Sequence, residues 1–437
     1  MTRGYAGRRS LLKAGLAAPT ALRVAPALAA SGDDAIFTAE RLFADVKAYA
    51  EVGNKQSGGV GDRWAADWAA RRLAAAGFAV ERQSFHVPWF ETATCELTLG
   101  DRKIPLSAQP LAVPTGLGGI EAPLRLAEVS DRLDGAIAVV RLPYRRWSSL
   151  LDRSVRDPLS DALARGAVAV ILVTTGPTGE ALLLNAPADA PLSSKPLALL
   201  APRLAAPVIE AARQGRPATL VLNGKGGSRV AENVVARRVR EGRRWLVVST
   251  PRSGWTDCVG ERGPGIAIWL ALAEWMPRAF PDHSLLFVCN SGHEYENLGA
   301  SHIVGTIGPP PGETDFWLHL GANVATRDYQ ETPGRLLPLP SADPFRFLMT
   351  SVPLVERARA IFKGQPGLEM AYPSAEGAAG ELSEVVKAGY PHHAGIFGAH
   401  RHHHAPTDLL GVVAPEPLGA TARAVRDFLT AILPAHR

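Results

Sequence analysis

Apolar positions recur at helical spacing in two stretches near the start of the chain, 35–50 and 62–76. In the second, Trp64, Trp68, Arg72 and Leu73 set the period, and Gly77 follows as a stop signal. Residues 78–85 then alternate apolar with polar, which predicts a strand. From 89 to 226 the texture changes. Short runs such as GAIAVVRLP, GAVAVILVTT and RPATLVLNG are separated by Pro- and Gly-rich turns, with one helix expected over 157–165. This predicts a small β-rich module with its own core, inserted into a larger unit. Beyond 227 a βα rhythm returns. Strands are expected at 232–239, 244–250, 284–289, 316–320 and 391–397, and helices at 265–276, 344–362 and 415–433. The fold class that follows is α/β: a mixed sheet flanked by helices, built from 31–88 and 227–437, with 89–226 inserted.

The 437 residues are 46% apolar and 20% charged, which suits a globular chain with a large core. The formal net charge of +5 comes from the first thirty residues. These carry Arg3, Arg8, Arg9, Lys13 and Arg23 and no acid, so the remainder sums to +5 − 5 = 0. Bulk charge thus gives no support to a nucleic-acid partner. The same segment, with Arg8-Arg9-Ser10-Leu11-Leu12-Lys13, an Ala/Leu-rich stretch and Ala27-Leu28-Ala29, matches a twin-arginine export signal. A periplasmic or secreted location is expected from it. No other apolar run reaches the ~18–20 residues needed to span a bilayer. Three cysteines make no disulfide framework; Cys258 and Cys289 are expected near one sheet edge, as a pair or as two thiols. The Gly-rich 53–62 segment lacks the Walker spacing and reads as a turn.

Candidate chemistry collects in three segments that follow expected strands: 249–265, 291–299 and 398–408. In the second, SGHEYENLG, His293 and Glu294 sit just beyond a buried strand, where open α/β sheets build their sites. Such a pair is a set of metal ligands or a proton-transfer pair. Glu261, Glu294 and a histidine from 402–404 would make a zinc set of two carboxylates and an imidazole, leaving a fourth position open. A Ser–His–acid arrangement from Ser253 or Ser291, His293 and Glu294 lacks the G-x-S-x-G elbow.

The helix-pair entry, the inserted module, NVVARRV before a hairpin and the order of the strand-end motifs resemble the co-catalytic zinc aminopeptidases of the bacterial leucyl aminopeptidase type. Glutaminyl cyclases belong to the same clan. Where the family has H-x-D, this chain has Pro251-Arg252-Ser253; where it has a bridging Asp, Glu261 stands in GERGPG. Its E-E-x-G-x-x-G becomes His293-Glu294-Tyr295-Glu296-Asn297-Leu298-Gly299, and a later ligand Asp is Gly321. Its final H-x-P-x-D survives as His404-Ala405-Pro406-Thr407-Asp408. The resemblance implies one Zn²⁺ on Glu261, Glu294 and His404, with His293 as proton acceptor. It places His319, Ser253 and Arg262 as candidates for substrate or oxyanion binding, with an Arg262–Glu261 ion pair as the structural alternative. The expected function is an exported metal-dependent hydrolase of a peptide or amide bond in a peptide-like substrate. Cyclase-like acyl transfer on the same site, or a non-catalytic binding protein, are the alternatives.

Overall fold

The computed structural model describes residues 32–146, 149, 152–332 and 335–433. The expected export signal, residues 1–30, lies outside these; the other expected elements, with one exception, can be followed. Four parallel strands form the centre of the sheet in the order His393–Gly398, Thr314–Leu320, Trp245–Pro251 and Ser284–Asn290. All seven residues of Ser284–Asn290 are buried, as a strand covered on both faces requires. Arg346–Thr350 and Tyr372–Pro373 extend one edge. On the other edge lie two very long antiparallel strands, Pro217–Arg238 and Ala79–Leu99, paired from Ala79↔Arg237 to Thr98↔Thr219.

These two strands run through positions 89 and 226 without a break and carry the sheet into the remaining residues of the insert. There, Ile120–Leu126, Ile137–Arg141, Ala169–Val173 and Leu197–Leu200 continue the order, with helices Arg153–Ala164 and Pro202–Arg213 against them. Two apolar clusters of their own, one around Leu124, Val139 and Leu220 and one around Val140, Leu159 and Leu172, fill this part.

The largest cluster packs helices Ala39–Ala50, Val60–Ala75, Val259–Ala279 and Pro415–Ile432 against one sheet face. Helix Val259–Ala279 is almost wholly buried, which explains why its sequence shows no polar face. One expected element is corrected. The helix predicted over 344–362 is a strand, Arg346–Thr350, then a short helix, Val355–Ile361. RFLMT is a brief apolar run that pairs antiparallel with His393–Gly398, and helix and strand cannot be separated by periodicity over so few residues. Cys258 and Cys289 are buried free thiols. No described helix is long and apolar enough to cross a membrane.

Candidate metal and proton-transfer site

The parallel strands end at one edge of the sheet, and the loops that follow them carry the titratable residues. Six non-glycine residues among those described have left-handed backbones. Five of them, Cys258, Glu296, Asn297, Asn323 and His404, lie in these loops. Such conformations cost free energy and persist where surrounding contacts impose them.

Glu261 lies in the first turn of helix Val259–Ala279. Its position is set by Asp408, whose carboxylate accepts the backbone N–H of Gly260 (2.7 Å) and of Glu261 (3.0 Å). Asp408 thereby ties the helix start to the 398–408 loop. Gly260 is required here, because a Cβ would come within 2.3 Å of Val412 and 2.7 Å of Asp408. The loop brings His403 and His404 to Glu261, with their rings stacked 4.2 Å apart. From Glu261 Oε1, His404 Nε2 is 3.5 Å away and His403 Nε2 3.8 Å. His404 Nδ1 lies 2.8 Å from the Leu183 carbonyl, so it must carry the proton, which leaves Nε2 as a lone-pair donor.

Three observations show that this group has the chemistry to hold a metal ion. One carboxylate and two imidazole ligand atoms lie within 4.8 Å of one another. Tetrahedral bonds of ~2.0–2.1 Å would separate ligand atoms by about 3.4 Å, close to what is found. His404 Nε2 and both Glu261 oxygens are buried without a hydrogen-bond partner in the protein. Burial opposes the charge on Glu261, but Arg262, His403 and His404 outweigh it and hold the carboxyl well below its usual range. Burial keeps His403 neutral by pushing its pKa well down, against the pull of Glu261.

The structure brings together Glu261 and His404 of the expected ligands, with His403 beside them. Glu294 is not in that group. Its Oε2 accepts the hydroxyls of Ser57 (2.6 Å) and Ser253 (3.0 Å), and burial pushes its carboxyl up against the opposing effect of Arg262 and His293. Arg262 is the neighbour that matters most. Its Nη2 is 2.6 Å from Glu261 Oε1, and its Nε donates to the Ser253 carbonyl. A fully buried guanidinium therefore stands beside the carboxylate.

His293 and His403 both line a cavity of about 260 Å³. His293 Nδ1 lies 3.3 Å from Glu381 Oε1, and Asn290 Nδ2 donates to Glu381 Oε2 at 2.8 Å. Burial disfavours the Glu381 charge, but His293, His319 and Asn290 bring its pKa below the usual carboxylate value. Glu381 thus stays anionic and holds the imidazole by Nδ1. His319 also lines the cavity; Ser249 holds its Nδ1 at 2.9 Å, and burial lowers its pKa to about 4. Phe345, Phe347 and Phe397 form an apolar wall. Glu381, His403, Ser57 and the cavity residue Glu296 were not singled out from the sequence. Ser57 lay in the loop read as a turn, and Glu381 sits in a segment with no motif at all.

No protein-family model and no curated protein matches the chain. Solved structures do match. The chain is similar to the zinc aminopeptidase BSAP from Bacillus subtilis at 18% identity and a TM-score of 0.68, over 90% of this chain and 95% of that one. It is similar to a peptidase M28 precursor from Shewanella amazonensis SB2B at 17% identity and a TM-score of 0.68, over 92% and 97%. An aminopeptidase from Aneurinibacillus sp. strain AM-1 aligns at 15% identity and a TM-score of 0.66, over 92% and 97%. Likeness over nearly the whole of both chains shows that this protein has the mixed α/β fold of these aminopeptidases.

Proposed function

We propose that the protein is an exported, metal-dependent hydrolase of a peptide or amide bond, aminopeptidase-like, working with one metal ion. The observation that carries this is that one cavity is lined both by His403, which meets Glu261 and His404, and by His293, which is paired with Glu381. Glu261, His403 and His404 would hold Zn²⁺, which supplies Lewis-acid polarisation of a carbonyl when bound. The chain's own residues do the rest. His293 takes a proton from attacking water at Nε2, and Glu381 steadies the imidazolium that results. Arg262 offers buried N–H groups to negative charge developing beside Glu261. Glu296, in the cavity lining, gives a substrate ammonium a counter-charge. The 89–226 segment, which we read as a protease-associated-like module, contributes Asn185 to the cavity lining.

A second reading is favoured by the 2.6 Å approach of Arg262 to Glu261. The guanidinium already balances that carboxylate, so the pocket would bind a peptide without metal or chemistry. Metal analysis after dialysis decides between the two. The hydrolase reading expects about one zinc per chain, lost in His404→Ala and in His403→Ala but kept in His293→Ala. It also expects His293→Ala to lose about 10²–10⁴-fold in kcat on aminoacyl p-nitroanilides. A zinc-free wild-type chain that cleaves none of them leaves the binding reading; two zinc ions per chain would refute the one-ion scheme.

A further inference from the structure

Residues 183–186 belong to the inserted segment, yet they are bound at three points to the loops of the site. The Leu183 N–H donates to the His404 carbonyl (3.2 Å), and the Leu183 carbonyl accepts from His404 Nδ1 (2.8 Å). The Ala186 N–H donates to the Glu294 carbonyl (3.0 Å). Between them, Leu184 is held at both backbone groups by the buried amide of Gln109: its N–H donates to Oε1 (3.1 Å), and its carbonyl accepts from Nε2 (2.7 Å). Asn185 is therefore fixed between the histidine loop and the His293–Glu294 loop, and its side chain lines the cavity.

The orientation of the Asn185 amide is determined by its one side-chain partner. Trp255 Nε1 lies 3.1 Å away, and an indole nitrogen only donates. The atom facing Trp255 must be Oδ1, so Nδ2 and its two protons are turned away from that contact. Nδ2 has no hydrogen-bond partner among the described residues. Asn185 shares the lining of the cavity with His293, His403 and Glu296. Trp255 is itself held edge-on against Tyr295, whose hydroxyl donates to the Pro88 carbonyl. The donor is thus pre-set by a chain of packed groups before any ligand arrives.

We infer that Asn185 is a substrate-binding residue contributed by the inserted segment: its Nδ2 donates a hydrogen bond to a carbonyl or carboxylate oxygen of a peptide bound in the cavity. This rests on the hydrolase reading above and extends it. The insert is then part of the site and selects ligands with an acceptor oxygen within reach of Asn185.

Asn185→Asp tests it, because the substitution keeps an acceptor for Trp255 but replaces the donor with a repelling carboxylate. On the best substrate of an aminoacyl p-nitroanilide panel, KM is expected to rise about tenfold or more, with kcat within about threefold. Zinc content and melting temperature should match wild type. Trp255→Phe frees the amide to turn and is expected to raise KM by about threefold; it decides the matter should Asn185→Asp fail to fold. An active wild type with unchanged KM in the variant overturns this assignment alone. A wild type that is zinc-free and cleaves nothing in the panel overturns the hydrolase reading, and this assignment with it.

Discussion

Two arginines ten residues apart, Arg252 and Arg262, are both fully buried beside a carboxylate, and they are wired in opposite ways. Arg252 Nε is 2.9 Å from Asp62 Oδ1, Nη1 donates to the Cys289 carbonyl (2.6 Å) and Nη2 to the Glu232 carbonyl (2.5 Å). Each nitrogen has a fixed partner, and those partners come from three separate elements. Arg262 has one backbone acceptor at Nε; Nη2 has an ion-pair contact with Glu261, and neither Nη1 nor Nη2 has an aligned hydrogen bond. A buried donor without a partner costs free energy, so a chain that retains one keeps it for something other than stability. Arg252 is a tie between strands and helix. Arg262 is a cation held beside Glu261, the carboxylate of the proposed metal group. Glu261 and His404, beside Arg262, likewise keep buried atoms without a hydrogen-bond partner.

The comparison breaks most directly at Arg252. Arg252→Met strips Asp62 of its counter-charge in a fully buried place and empties three acceptors at once. The expected loss of unfolding free energy is about 3–5 kcal/mol, read by urea titration. A loss below about 1 kcal/mol would mean that saturation does not distinguish the two arginines.

His319 stands between the extremes, with Ser249 at Nδ1 and a ring in the cavity wall. Its folded pKa of about 4 lies below its unfolded value of 6.5. The folded state therefore binds fewer protons between those values, and stability falls as pH drops from about 6.5 toward 4. The limit is about 3 kcal/mol, from a shift of 2.5 units at ~1.36 kcal/mol each. His319→Gln retains a partner for Ser249 and should remove this share of the loss. Comparing melting curves of variant and wild type at pH 7.5 and pH 4.5 isolates it from the other buried histidines. Equal slopes for the two proteins would show that His319 does not stay neutral. The Glu381 contribution appears lower on the scale, since a depressed carboxyl loses its stabilisation as pH falls through its folded pKa.

These differences also explain what could be read from the chain in advance. The central strands were legible because a strand covered on both faces is a continuous apolar run, as in SLLFVC. Glu261 and His404 were legible because each lies in a short local pattern after a strand. Glu381 and Asn185 were not, and His403 only as one of the 402–404 run, since what makes them notable is a partner 88, 70 or 142 residues away along the chain: His293, Trp255 and Glu261. The helix expected at 344–362 failed for a related reason. The antiparallel partner that makes Arg346–Thr350 a strand, His393–Gly398, lies over forty residues downstream. Local pattern records burial and spacing, and it leaves out which buried polar group meets which.

Arg262 gives the smallest stability effect and the sharpest functional one. In Arg262→Met, the Glu261 carboxylate loses its nearest cation, yet two poorly bonded guanidinium nitrogens also leave the interior. These terms oppose each other, so the expected net loss without zinc is about 1–2 kcal/mol, well under that of Arg252→Met. Zinc should erase this loss, because an ion on Glu261, His403 and His404 supplies the missing positive charge. Zinc affinity should also rise in the variant, as the competitor 2.6 Å from Glu261 is gone. Unfolding with and without zinc measures the first, and competition against a metallochromic chelator the second. If Arg262→Met were as damaging as Arg252→Met and indifferent to zinc, both arginines would be ties, and the carboxylate beside Arg262 would belong to the scaffold.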